Sequence, residues 1–349
     1  MTGAPPPLTA PAAQRVLVTG ADGFVGRSLL QALAAQWARG ALQAVWAHDV
    51  RAVPPERQLP GIQYQVQDVR ATDLAQQFMR AAPDTVVHLA SIVTPDKGST
   101  RAFEYSVDVE GTRNVLAACV AAGVRHLVVS SSGAAYGYHF DNAPWLTEDM
   151  PLRGNQVFAY SHHKRLVEEM LAEHRRTHPA LLQTVLRIGT ILGERVDNQI
   201  TALFAKPRLI AIRGSDSPFV FIWDEDVVGA LMHALSGTAP PGCYNLAGDG
   251  ALTIHQIAQR LGKRTRNFPP GLLKAALWLG SRLGASRYGP EQLDFLRYRP
   301  VLLNTALKQR FGYTPGKTSA QAFDAFVAAR AAQGRPVTAA PGRPATAAR

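Results

Sequence analysis

The chain is poor in cysteine, with only two in 349 residues. Cys119 falls on the apolar face of a helical pattern with Val115 and Leu116, and Cys243 opens a short strand-like run. Two such positions give neither a disulfide framework nor a metal-ligand spacing, and they fit a reducing cytoplasm. Long apolar runs are missing too. None reaches the ~18–20 residues of a membrane span. Met1–Gln14 is rich in Pro and Ala and lacks a basic start followed by an apolar core, so it reads as a disordered leader rather than a signal peptide. Acidic residues are outnumbered and the net charge is +11, yet no basic stripe is interleaved with aromatics. That argues against a nucleic-acid surface and leaves the excess as solvated charge that helps to attract an anionic ligand. An Ala/Pro/Gly/Arg stretch, 328–349, carries Arg335, Arg343 and Arg349 and reads as a disordered tail.

What is present is an ordinary globular composition, 46% apolar and 18% charged, with length enough for one large or two intimate domains. Arg15-Val-Leu-Val-Thr19 is a short β-branched run. Gly20-Ala-Asp-Gly23-Phe-Val-Gly26 follows at once, and a helical pattern then runs through Leu29, Leu30, Leu33 and Trp37. Strand, glycine turn and helix in that order make a dinucleotide fingerprint. Gly20 allows the tight turn, Gly23 lets backbone approach a pyrophosphate, and Gly26 lets helix pack on strand. The next strand ends at Asp49, placed to grip the adenosine ribose hydroxyls, which favours NAD over NADP; Arg51 is the counter-signal. Further strands are expected at 62–67, 85–90 and 124–130, with helices at 72–81 and 103–122 between them. That alternation predicts an α/β fold, a doubly wound parallel sheet of Rossmann-like type. Strand ends at Asp68 and at His88-Leu-Ala-Ser91 then face the ligand crevice, putting Asp68 near adenine and Ala90 against the cofactor. His88 itself reads as a core histidine.

Tyr160 and Lys164 are four apart in Tyr-Ser-His-His-Lys, on one face of an expected helix. An ammonium beside a phenol favours the phenolate and pulls its pKa down from ~10. So tuned, Tyr160 can exchange a proton with an alcohol or a carbonyl oxygen. Upstream, Ser130-Ser-Ser132-Gly133 ends a strand, and Ser132 can hydrogen-bond a reacting oxygen. His162 and His163 read as exposed polar residues of the helix, with no metal role.

This ordered set resembles the extended short-chain dehydrogenase/reductase family, also called NAD-dependent epimerase/dehydratases. It comprises Thr19-Gly20-x-x-Gly23-x-x-Gly26, Asp49, Asp68, His88-Leu-Ala-Ser91, Ser130-Ser-Ser132, Tyr160-x-x-x-Lys164, Leu186-Arg187 and Ile191-Leu-Gly193. Later stretches agree: Phe221-Ile-Trp223-Asp-Glu-Asp226, Tyr244-Asn-Leu-Ala-Gly248 and Phe311-Gly-Tyr-Thr-Pro315. The resemblance implies Ser132, Tyr160 and Lys164 as catalytic residues: tyrosine as acid–base, lysine tuning it and holding the nicotinamide ribose, serine positioning the oxygen. It implies cofactor contacts at Gly20, Asp22, Gly23, Phe24, Val25 and Gly26, then at Asp49, Asp68 and Val69. Others fall at Leu89, Ala90 and Ser91, at Ser130, at Tyr160 and Lys164, and at Arg187 and Ile188. It also implies a homodimer built on helices around 103–122 and 156–176.

The departures bear on substrate. Where sugar-nucleotide epimerases usually carry Asn before Gly-Thr, Asp108 precedes Gly111-Thr112; Ile188-Gly189-Thr190 lacks their sugar-diphosphate Asn; Phe219 stands for a phosphate-gripping Arg and Trp223 for a His. A diphosphate needs cationic or N–H partners, which leaves Arg187 or Arg213 to compensate. The expectation is therefore an NAD-dependent oxidoreductase of a small, less charged and more apolar alcohol or ketone. The alternative is a sugar-nucleotide 4-epimerase, similar to UDP-glucose 4-epimerase, with tightly held NAD. The organisation expected is a leader over 1–14, a cofactor domain over 15–190 rejoined by 219–248, and a smaller C-terminal substrate lobe from 191–218 and 249–327. Within that lobe, Gly271–Gly284 is strongly apolar with two basic residues. It reads as a helix packed on its own domain, before a lid or a membrane-surface helix.

Overall fold

A computed structural model describes residues 12–96, 98–283, 289–290 and 292–334. In chain order the elements begin with β1 (Arg15–Thr19), α1 (Phe24–Ala38), β2 (Ala44–Asp49), β3 (Ile62–Val66), α2 (Leu74–Ala81) and β4 (Thr85–His88). There follow α3 (Arg101–Tyr105), a π-helical turn (Ser106–Glu110), α4 (Gly111–Ala121), β5 (His126–Ser132), α5 (Ala159–Thr177), β6 (Leu182–Ile188) and β7 (Thr190–Leu192). The remainder are α6 (Gln199–Phe204), β8 (Arg208–Ile212), β9 (Phe221–Trp223), α7 (Asp224–Leu235), β10 (Gly242–Leu246), α8 (Ile254–Arg260), β11 (Arg264–Phe268), α9 (Pro270–Arg282), α10 (Gln292–Arg297) and α11 (Ser319–Ala332).

Seven parallel strands form the main sheet in the order β10-β6-β5-β4-β1-β2-β3. Strands covered by helices on both faces need side chains that are apolar in both directions. Accordingly Val16, Leu17 and Val18 are all buried, as are Val86, Val87, Val128 and Val129. One apolar cluster lies under α1 and α7, the other under α2, α4 and α5. The strand order reverses at β1, so β1 and β4 diverge toward opposite connections and open a crevice at their C-terminal ends. A third cluster, built on Phe204, Phe219, Phe221 and Phe323, holds the later segments together.

Of the segment 219–248, β10 enters the main sheet beside β6, whereas β9 pairs with β7 in a separate ribbon. Ala12–Gln14 are ordered rather than part of a leader: Ala13 is buried and its N–H donates to the Leu235 carbonyl at 3.0 Å. α11 likewise continues past 328, because Arg330 is buried and donates to the Val196 carbonyl at 2.9 Å. The rest of the expected leader and tail, 1–11 and 335–349, lies outside the described residues.

Three histidines are buried in this sheet. His48 and His126 have pKa values lowered to about 4 and His88 to about 3, chiefly because burial penalises the charged ring. The native state thus holds them neutral, while an unfolded histidine protonates below ~6.5. Stability is complete above that pH and falls with acid down to about 4, each ring contributing about 1.4 kcal/mol per pH unit. Urea unfolding should accordingly give a clearly lower midpoint at pH 5 than at pH 7. His126→Gln, which keeps a partner for Thr184 at the present 2.9 Å contact, should shrink that difference. Equal midpoints at the two pH values would contradict the assignment.

Candidate active site

The cleft is built where the ends of β1, β4, β5 and β6 meet. Gly20 has φ +70°, and a Cβ there would lie 2.6 Å from the Ala90 amide nitrogen. A Cβ on Gly26 would stand 2.4 Å from the Gly20 carbonyl. No other residue permits both approaches, and together they bring the N-terminus of α1 onto the crevice. That end has no side-chain cap and no acid in its first turn, so its N–H groups and dipole are free for an anion.

Gly20, Gly23, Phe24, Val25, Gly26, Leu89, Ser91, Ser130, Ser132, Tyr160, Lys164 and Ile188 all line one cleft of about 600 Å³. Asp49 and Asp22 stand behind its glycine end. The Asp49 carboxylate accepts from the amides of Asp22 (2.9 Å) and Arg51 (3.1 Å), and Asp22 faces Arg57 at 3.1 Å and Arg27 at 3.6 Å. Asp68 turns to Arg70, 2.6 Å away, which holds its carboxyl below the usual carboxylate range. Val69 packs in the core against Gly111.

Lys164 is buried, and its ammonium donates to the Ser130 carbonyl at 3.1 Å, 5.7 Å from the Tyr160 ring centre. Burial lowers the lysine pKa and raises that of Tyr160, opposed by the Ser132 hydroxyl. The lowering expected from the ammonium is not what dominates here: desolvation is the largest effect on Tyr160 and raises its pKa.

Three readings need correction. Arg187 does not reach the cleft. It is buried in an ion pair with Glu168 at 2.8 Å and donates to the Tyr136 hydroxyl (2.7 Å) and the Glu148 carbonyl (3.0 Å), so it holds β6 to α5 instead of a phosphate. His163 is buried, not exposed. Its Nδ1 lies 3.0 Å from Asp108, whose other oxygen accepts from Ser91 Oγ (2.9 Å) and the Ile92 amide (2.8 Å). Trp223 packs in the third cluster under Lys317, away from the cleft.

Phe219, by contrast, does line the cleft, and with it comes a residue the motifs did not mark. Arg299 is 9% exposed and sits between two rings, 4.1 Å from Phe219 and 4.4 Å from Phe295. Its Nε and one terminal nitrogen have no hydrogen-bond partner, and burial lowers its pKa to about 10. Tyr138, Phe158 and Phe295 pack beside it, tilted or edge-on to one another, in an aromatic wall that continues to Tyr160. A lone arginine in a segment without periodic signal offers no spacing to read; only its contact with Phe219, far back in the chain, marks it.

Residues 16–247 match the family described as NAD dependent epimerase/dehydratase. The chain belongs to the NAD-dependent epimerase/dehydratase family. This makes it a member of an enzyme family with NAD as its cofactor, and the glycine cradle fits a dinucleotide. An uncharacterised Mycobacterium tuberculosis protein is 28% identical over 324 residues, covering 90% of this chain and 84% of that protein. The N-acetyl-α-D-glucosaminyl-diphospho-ditrans,octacis-undecaprenol 4-epimerase of Escherichia coli O157:H7 is 34% identical over 181 residues, 52% of this chain and 50% of that enzyme. The fold is that of Bordetella bronchiseptica WbmG, solved with NAD and UDP (TM-score 0.70, 18% identity, 93% and 96% of the two chains). It is also that of UDP-glucose 4-epimerase from Thermotoga maritima (TM-score 0.66, 18% identity, 91% and 99%).

The Glu168–Arg187 pair underlies this family site from below. Glu168→Gln strands a buried guanidinium and should cost about 3–5 kcal/mol. Glu173→Gln, which breaks a surface pair with Arg176, should leave stability nearly unchanged. Denaturant titration of both variants gives the comparison, and similar losses would refute the structural role of Arg187.

Proposed function

We propose that this enzyme moves a hydride at a secondary alcohol or ketone carbon of a small substrate with a largely apolar body and one anionic group. The observation that carries this reading is the convergence of Ser132, Tyr160 and Lys164 with the aromatic wall and the unpartnered Arg299 in a single cleft. Bound NAD would accept the hydride of an alcohol and, in its reduced form, would donate one to a carbonyl. The backbone of Gly20, Gly23 and the first turn of α1 would hold its pyrophosphate, and Lys164 its nicotinamide ribose. Ser132 orients the reacting oxygen. Tyr160 gives its proton to a carbonyl oxygen as the hydride arrives at carbon, and takes it back from the hydroxyl in the reverse direction. Arg299 receives the anionic group. It is desolvated and pre-set by the two rings, so a charged partner is worth more there than on the surface. In this division of labour 15–190 serves the cofactor, while 191–218 and 249–327 shape the substrate.

One observation favours a second reading, 4-epimerisation of a diphosphate-linked sugar. Arg299 is a cation that a diphosphate can use, and the partial E. coli relative carries a sugar-diphosphate name. Incubation with NAD and a panel of hydroxy acids, hydroxy lipids and sugar diphosphates separates the two. Net reduction of NAD supports the first reading, and interconversion without net reduction replaces it with the second.

Tyr160→Phe should lower turnover by about 10²-fold or more while leaving NAD affinity within a few-fold. Arg299→Met should raise KM for the anionic substrate about tenfold or more with a smaller change for its uncharged analogue. Full activity in Tyr160→Phe would remove the tyrosine from the chemistry.

A further inference from the structure

α9 exposes the side of itself that a core helix would bury. At ~100° per residue, Leu273, Leu277 and Gly280 share the inward, half-buried side, which meets α10. Leu272, Ala276, Leu279 and Leu283 fall together on an outward arc ~60° wide. Leu272 is 60% exposed, Leu279 52% and Leu283 73%. Lys274, Trp278 and Arg282 form the adjoining stripe at i, i+4 and i+8; Trp278 is 48% exposed, with the Arg282 guanidinium 4.6 Å over its ring. Leucines outward, with tryptophan and basic residues at their margin, is the pattern of a helix lying in a bilayer interface.

The surroundings carry matching charge. β11 leads directly into α9 and pairs in register with β8, setting Arg264 opposite Arg208 and Arg266 opposite Ile210. All four are exposed. From Leu261 to Leu283 there are five basic residues and no acid. Such a surface suits phospholipid headgroups of net negative charge, and a neutral protein partner would gain nothing from it.

We infer that α9, with the basic β8–β11 ribbon beside it, seats the enzyme on an anionic membrane surface. α10 follows α9 and contributes Phe295 to the cleft wall, next to Arg299. A bilayer under α9 therefore lies against the substrate side of the site, away from the glycine cradle. This inference does not depend on the chemistry proposed for Tyr160.

The test is flotation of the full chain with vesicles of neutral phosphatidylcholine or of phosphatidylcholine with phosphatidylglycerol. The anionic vesicles should carry up at least about tenfold more protein, and high salt should reverse this. Leu279→Glu/Leu283→Glu and Lys274→Glu/Arg282→Glu should each lower the bound fraction about tenfold or more. Both variants should keep the thermal midpoint and NAD affinity of the parent, since the side chains changed are exposed. Failure of the parent to float on anionic vesicles overturns the inference, as does equal binding by the variants. So does a lipid-free dimer, seen by sedimentation equilibrium, that Leu279→Glu/Leu283→Glu dissolves: a second copy would then cover the arc.

Discussion

Backbone meets backbone where the Gly26 Cα lies under the Gly20 carbonyl and Gly20 itself presses on Ala90. A methyl group at either position would push α1 off β1 or β1 off the end of β4. Everything downstream uses that proximity. It fixes the free N–H groups of α1 at the mouth of the crevice and sets the depth at which Ser130 and Ser132 face them across the sheet. It also leaves only the far side open for the segments that shape the substrate.

The parts of this arrangement legible in the sequence are those whose partners are near in the chain or set by a fixed period. The glycine turn, the strand–helix alternation and the Tyr160–Lys164 spacing are of this kind, and they carried the fold. What escaped depends on partners brought together by the fold. Arg187 ends a strand at a position that suits a ligand contact, but Glu168 on α5 captures it. His163 looks like one of two polar residues on an exposed helix face until Asp108, from the π-helical turn, closes on it. At Tyr160 the ammonium is legible four residues away, whereas desolvation, which raises the phenol's pKa, is a property of the finished cleft.

Charge placement reconciles the departures from the sugar-nucleotide pattern. Phe219 removes one cation from the expected place and, with Phe295, clamps another in Arg299. Two rings against a guanidinium cover its π-surface more readily than its N–H edge, so the cation is retained while its direction is restricted. Asp108, standing where Asn is usual, finds in His163 a partner that an amide would not need.

Tyr160, His163, Lys164 and Glu168 occupy successive inward positions of the single helix α5. One end of that helix face lines the cleft at Tyr160 and the other is bolted through Arg187 into the sheet. The cleft-lining and the load-carrying groups thus share one uninterrupted helix. Such a site has no soft mode of its own, and heat should not inactivate it gradually ahead of melting. Inactivation and global unfolding should then be one event.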